Sequence, residues 1–155
     1  MAQNFFRYDD AAGDSAVESN RAILGSLRDA DCDQLISLAA RRKYQAGAHI
    51  IKAQDTDRAI YFIVSGSVEI VAPEPGALSS KLATLSEGGV FGIVSFLDGA
   101  PRGSNVIAKG PVEVLMVSKD IFEQLAAWQP RIAIALLSDI GANVAMRLRK
   151  HEPIP

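Results

Sequence analysis

The sequence predicts a mainly β domain flanked by helices, an antiparallel sandwich or roll, and two observations point to it. Between residues 44 and 117, short apolar, β-branched runs recur, punctuated by Gly47, Asp55, Gly66, the turn Pro73-Glu74-Pro75-Gly76, Gly88-Gly89 and Gly99. Short strands at even spacing with turn residues between them are the pattern of a sandwich or roll. On either side of that span, apolar residues return every three or four positions, which is the helical period.

The elements follow in order. Residues 1–18 read as a flexible segment carrying Phe5, Phe6 and Tyr8, and residues 19–155 as a single domain, with the roll over about 44–118 and two C-terminal helices over about 119–150. From Ser19, Ile23, Leu24 and Leu27 fall at helical spacing. Asp31 or Asp33 then caps a second helix bearing Leu35, Ile36 and Leu38. Ser118, followed by Lys119-Asp120, has the side chain of an N-cap, so a helix is expected from there through Leu125. Pro130 breaks it and suits the first turn of the next helix, since a missing N–H costs nothing there. That last helix presents Ala133, Leu136, Leu137, Ile140, Val144 and Leu148 along one side. The stripe requires a partner, either the roll of the same subunit or a twin helix in a dimer.

Bulk properties narrow the function classes. The chain has 155 residues, enough for one core, and a formal charge of −2. Its longest basic cluster is MRLRK near residue 150, so the broad positive field of an autonomous nucleic-acid binder is missing and no direct DNA binding is expected. No apolar run reaches a membrane span, and the first fifteen residues are acidic and polar without a signal-peptide centre, so a cytoplasmic location is expected. The lone Cys32 makes neither an internal disulfide nor an iron–sulfur site. His49 and His151 are too few for a cupin-type metal centre, and no nucleophile–base set accompanies Cys32. No metal, no cofactor and no catalysis are therefore expected.

The most informative stretch is FGIVSFLDGAPRGSNVIAK, residues 91–109. Gly92 can adopt angles closed to other residues, which lets amide groups turn inward at the start of a short helix. Pro101 holds the chain extended, Arg102 supplies a fixed charge, and Gly103 and Ser104 offer a close backbone approach and a hydroxyl. The segment reads as a pocket for one small anion. Arg102 has a plainer reading as a surface arginine beside Asp98, and Gly92 and Gly103 as simple turn residues. Ser95 and Ser104 read equally as ordinary helix-end or strand hydroxyls.

This segment resembles the phosphate-binding cassette of the cyclic nucleotide-binding domain family, of the catabolite activator and protein kinase A regulatory-subunit type. Tyr61, Phe62, Ile63 and Gly66 match that family's hairpin, residues 82–92 its approach to the ligand, and residues 112–125 its closing strand and first C-terminal helix. The resemblance covers about four-fifths of the chain. It implies an eight-stranded double-stranded jelly roll and a ligand such as cyclic AMP or cyclic GMP, with Gly92, Ile93, Val94, Ser95, Arg102, Gly103 and Ser104 as ligand-binding residues and Arg102 on the phosphate. Two departures stand out: Ile93 where the cassette has glutamate, and Gln54 where an early turn has glycine. An isoleucine accepts no hydrogen bond from a ribose hydroxyl, so the ribose half of the site is weakened. Ile93 is either a core residue in a dead site or the wall of a site for another ligand, cyclic di-GMP among them.

In transcription factors of this type the long helix leads into a helix-turn-helix domain, whereas here Pro153 and Pro155 follow. The output is expected to pass through a homodimer built on that helix or through a separate effector protein, with the base-contacting turn near His151 and Glu152. The other reading is a degenerate relative that binds no nucleotide and serves as a dimerisation or interaction module.

Overall fold

The computed structural model of the chain describes residues 24–73 and 81–155. The flexible segment expected over 1–18, the start of the first lead-in helix and the Glu74-Pro75-Gly76 part of the turn lie outside the described residues.

Eight strands form two antiparallel four-stranded sheets. In chain order they are β1 (Ala40–Tyr44), β2 (His49–Ile51), β3 (Ala59–Ser65), β4 (Val68–Val71), β5 (Lys81–Leu85), β6 (Val90–Phe91), β7 (Asn105–Ala108) and β8 (Val112–Ser118). One sheet runs β1-β8-β3-β6 and the other β2-β7-β4-β5, the expected jelly-roll architecture. Among the described residues four helices accompany them: α1 (Asp29–Leu38), the short α2 (Ile93–Asp98) between β6 and β7, α3 (Lys119–Trp128) and α4 (Pro130–Lys150).

Strand β3 explains the division of the core. Its sequence AIYFIVS is apolar almost throughout because both of its faces are covered. Tyr61 and Ile63 point into the roll with Val68, Ile70, Phe91 and Val114. Ile60 and Phe62 point the other way, into a second core formed with Leu27, Leu35, Ile93, Phe96, Phe122, Leu125, Ile132, Leu136 and Ile140. The first sheet is therefore a wall between the roll interior and the helical layer. Strands β4 and β7 alternate more openly, as expected where one face is covered.

The caps agree with the sequence in two places and differ in one. The Ser118 hydroxyl accepts from the Ile121 N–H at 3.2 Å, and Pro130 opens α4. For α1 the N-cap is Arg28; Asp31 sits one turn inside, accepting from the Arg28 N–H at 3.2 Å. Asp31 is drawn there by a stronger partner than a cap. Arg131, at the start of α4, grips its carboxylate with two bonds of 2.9 and 2.6 Å. The Arg131 guanidinium, followed by bonds from Arg28, holds the Asp31 carboxyl well below the usual carboxylate range despite burial. A second clasp joins the lead-in turn to α4, where Ser26 donates through its N–H and hydroxyl to Asp139 at 3.0 and 2.5 Å.

The apolar stripe foreseen on α4 divides between two faces. Ala133, Leu136 and Ile140 are buried in the helical core, joined by Ile132, whereas Leu137 and Leu148 are exposed and Val144 is half-buried. The exposed face reads Ile134, Leu137, Gly141, Val144 and Leu148, at alternating steps of three and four.

Candidate functional site

The segment 91–104 wraps one end of the roll, and its shape follows from two residues. Gly92 has φ of +82°, and a Cβ there would stand 2.7 Å from the Ala59 carbonyl oxygen and 3.0 Å from Arg102 Nη1. Only glycine satisfies both the angle and the space. This turn ends β6 and starts α2, so Phe96 and Ile93 enter the helical core while Val94 and Ser95 stay on the cavity side.

Arg102 is 3 % exposed, which excludes the surface reading, and Asp98 is not its partner: the Asp98 carboxylate accepts from the Ala100 N–H at 2.8 Å. The Arg102 guanidinium is held on every side. Nε and Nη2 donate to the two oxygens of Asp57 at 3.2 and 2.7 Å, Nη2 also to the Ala59 carbonyl at 2.8 Å, and Nη1 to the Gly92 carbonyl at 2.9 Å. Its backbone is fixed as well. The Gln54 N–H donates to the Arg102 carbonyl and the Arg102 N–H to the Asp55 carbonyl, each at 2.8 Å. Gln54 adopts φ of +73° to make this turn, a left-handed angle that suits the glycine of the related pattern.

Arg102 forms the floor of a cavity of about 290 Å³. Its walls are Gly92, Val94, Ser95, Pro101, Gly103 and Ser104 from the cassette, Ile51, Leu82 and Val106 from the strands, and Ile154 and Pro155 from beyond α4. Among the described residues of those walls Arg102 has the one charged side chain, which gives a largely apolar lining with a cationic point and two serine hydroxyls. That is the composition of a small anion site. A larger, open cleft of about 810 Å³ lies nearby at the mouth of the roll, but Asp55, Asp57, Asp120 and Glu123 outnumber Arg58 and Lys119 along it and repel an anion. Asp57 borders that cleft and Tyr61 lines it, its phenol 3.5 Å from an Asp57 oxygen. Burial, aided by the Asp57 charge, pushes the Tyr61 phenol up to about 12.

The sequence-predicted residues thus come together, with one distinction. Gly92, Val94, Ser95, Arg102, Gly103 and Ser104 line the cavity. Ile93 does not: its side chain is fully buried in the helical core, and the part of it that faces the site is its backbone N–H, which donates to the Pro155 carbonyl at 3.2 Å. The Ile93 side chain is thus part of the helical core and not of the cavity lining. A Cβ at Gly103 would meet nothing within 4 Å, so no protein neighbour requires glycine there. Sequence reasoning missed Asp57, for which the available signal was the acidic turn Asp55-Thr56-Asp57 before β3. It also passed over Arg147, a buried arginine inside α4 whose Nε donates to the Asn143 side-chain oxygen at 3.0 Å and whose Nη1 donates to the Pro153 carbonyl at 2.9 Å.

Comparison with known proteins agrees with this geometry. The family model described as the cyclic nucleotide-binding domain matches residues 41–127, more than half of the chain. The chain belongs to the cyclic nucleotide-binding domain family. It is 29 % identical over 130 residues to the cyclic AMP receptor protein of Thermus thermophilus, covering 84 % of this chain and 58 % of that one. It is 31 % identical over 121 residues to a cAMP-dependent protein kinase regulatory subunit of Debaryomyces hansenii, covering 78 % of this chain and 25 % of the relative. The crystal structure of the Thermus thermophilus catabolite activator protein superimposes with a TM-score of 0.73 at 28 % identity, over 84 % of this chain and 59 % of that one. The chain therefore spans less than two-thirds of the length of these relatives. Among the described residues, no helix is long and apolar enough to cross a membrane.

Proposed function

We propose that this chain is a non-catalytic sensor of a cyclic nucleotide, cyclic AMP or cyclic GMP, with a strong phosphate subsite and a weak ribose subsite. The observation that carries the reading is Arg102, buried beneath the cassette cavity as the one charged side chain among its described lining residues. A phosphate there exchanges places with the Asp57 carboxylate on the fork of the guanidinium, a bidentate geometry that suits either anion. Asp57 is 43 % exposed at its side chain, so it returns to water when displaced. The ribose half is poorer. Among the described lining residues none has a carboxylate side chain, and the position of the family glutamate holds Ile93, turned into the core. One missing hydrogen bond to a charged acceptor weakens binding by roughly ten- to a hundredfold.

The signal leaves through the helices. α2 packs by Phe96 against Phe122 of α3 with ring centroids 5.5 Å apart, so a shift of the cassette is felt by α3 and α4. The exposed seam of Ile134, Leu137, Gly141 and Leu148 on α4 supports pairing with a second copy, through which a separate effector reads the state. Substituting Leu137 and Leu148 together by Glu is expected to leave a folded monomer by sedimentation.

A second reading has its own support. Each nitrogen of the Arg102 guanidinium donates to a protein oxygen and residues 154–155 stand in the cavity wall, as in a degenerate domain that binds no nucleotide and acts as an interaction module. Calorimetric titration with cyclic AMP, cyclic GMP and cyclic di-GMP separates the two. Saturable binding that disappears in Arg102→Ala supports the sensor and names its ligand; silence from all three at millimolar concentration supports the module.

A further inference from the structure

We infer that residues 152–155 are a built-in occupant of the cassette cavity, clasped by Arg147, which any ligand of that cavity has to displace. The inference deepens the sensor reading and rests on it for the identity of the competing ligand. The path of the segment is fixed step by step. α4 stops at His151, which takes a left-handed φ of +56° and turns the chain back. The Glu152 N–H then donates to the Arg147 carbonyl at 2.9 Å, and Arg147 Nη1 donates to the Pro153 carbonyl at 2.9 Å. The same residue of α4 therefore holds the segment through its backbone and its side chain. Ile154 packs against the helical core and lines the cavity, and Pro155 is buried with its carbonyl accepting the Ile93 N–H at 3.2 Å.

The chemistry of the segment matches the site it fills. The cassette offers donors, the Ile93 amide and the Arg102 guanidinium, to an acceptor-bearing ligand. Pro153 and Pro155 have no N–H, so over residues 153–155 the segment brings three backbone carbonyl oxygens and apolar surface but only the one N–H of Ile154 to a donor-rich pocket. Proline also limits the freedom of the detached segment, which lowers the entropy lost when it docks. Displacement has a direct consequence for α4. It removes the Pro153 oxygen from Arg147, and Arg147 is the neighbour of Leu148 on the exposed seam. Ligand entry and the last turn of the dimer-forming helix are joined through one side chain.

The test uses the whole chain, a chain lacking residues 153–155, and Arg147→Met, which keeps Ile154 and Pro155 available to the core should the deletion fail to fold. Hydrogen exchange of single amides needs no ligand. The Ile93 amide is expected to exchange slowly in the whole chain and at least about tenfold faster in either variant. The Phe96 amide, which donates to Gly92 within the turn of α2, is expected to stay unchanged. Equal Ile93 exchange in all three proteins overturns the inference. Cyclic AMP titration is the second arm. A dissociation constant lowered by about tenfold in the variants supports displacement, because a larger fraction of molecules is then competent to bind. An unchanged or raised constant overturns it and leaves the sensor reading standing. Freed Ile93 exchange with no binding in any of the proteins supports the occupancy and overturns the sensor reading instead.

Discussion

Two buried arginines organise this molecule, and they are solvated by the protein in different ways. Arg102 sits under the cassette with a carboxylate on its fork and two backbone carbonyls around it. Arg147 lies at the far end of α4 and donates to the Asn143 side-chain oxygen and the Pro153 carbonyl, and burial pulls its guanidinium below the usual arginine range against the opposing pull of the Glu152 charge. The first is built into the fold, since its partners belong to β3, to the loop before it and to the turn after β6. The second holds a segment only a few residues beyond its own helix. The contrast teaches that burial alone does not tell a brace from a latch. What tells them apart is whether the partners are fixed by the sheet or carried by a segment that can leave.

The largest expected effect probes the orientation of α2 on which that contrast depends. Ile93→Glu restores the residue of the related pattern, and the sequence alone predicts stronger nucleotide binding from it. The structure leads to the opposite expectation. A carboxylate placed among Phe96, Leu136 and Ile140 has no partner, and the variant should lose roughly 4 kcal/mol of stability in urea denaturation.

The arginines themselves come next. Arg102→Met strands the Gly92 and Ala59 carbonyls and leaves Asp57 without its cation, and it should cost about 3 kcal/mol, the lower end for a broken pair because Asp57 is partly solvated. Arg147→Met replaces a buried cation by an apolar side chain of similar length and should cost only about 1 kcal/mol. Equal losses in the two variants by denaturation would remove the distinction between brace and latch.

A smaller effect comes from the clasp at the other end of α4. The Asp31 carboxyl is held down by Arg131, so its stabilising effect is fully present above the ordinary carboxylate pKa of about 3.9 and fades as the pH falls below it toward the depressed folded value. Asp31→Asn should therefore be less stable than the parent at pH 7, and the gap in melting temperature should narrow by pH 3. The smallest change is expected at Gln54. Gln54→Gly relieves a left-handed φ and should raise stability by about 0.5 kcal/mol after the greater freedom of glycine in the unfolded chain is deducted.

The extent to which the sequence revealed this molecule follows from the range of the forces involved. The β texture between residues 44 and 117, the Ser118 cap and the break at Pro130 were legible because alternation, turn residues and capping are local, whereas β1 (Ala40–Tyr44) begins before the expected start of the roll and the count of eight strands came from the family resemblance. The cassette was legible as a pattern, with Gly92 and Arg102 at its ends. Asp57 and Arg102 are 45 residues apart and met only after the roll had closed, so no local pattern announced their pairing. The Asp31 cap was misplaced for a related reason, since its carboxylate answers Arg131, 100 residues away. The faces of α4 were blurred because spacings of three and four fit two adjacent stripes. Contacts with the lead-in residues and α3 decide which stripe is buried.

The most direct test of Arg102 as the phosphate partner is a nuclear magnetic resonance titration that follows its Nε–H resonance as cyclic AMP is added. The account expects that resonance to move and saturate together with the binding isotherm, because Asp57 gives way to phosphate oxygens at the same guanidinium. Saturable binding with the Arg102 signal unmoved, or no saturation at millimolar cyclic AMP, would contradict it.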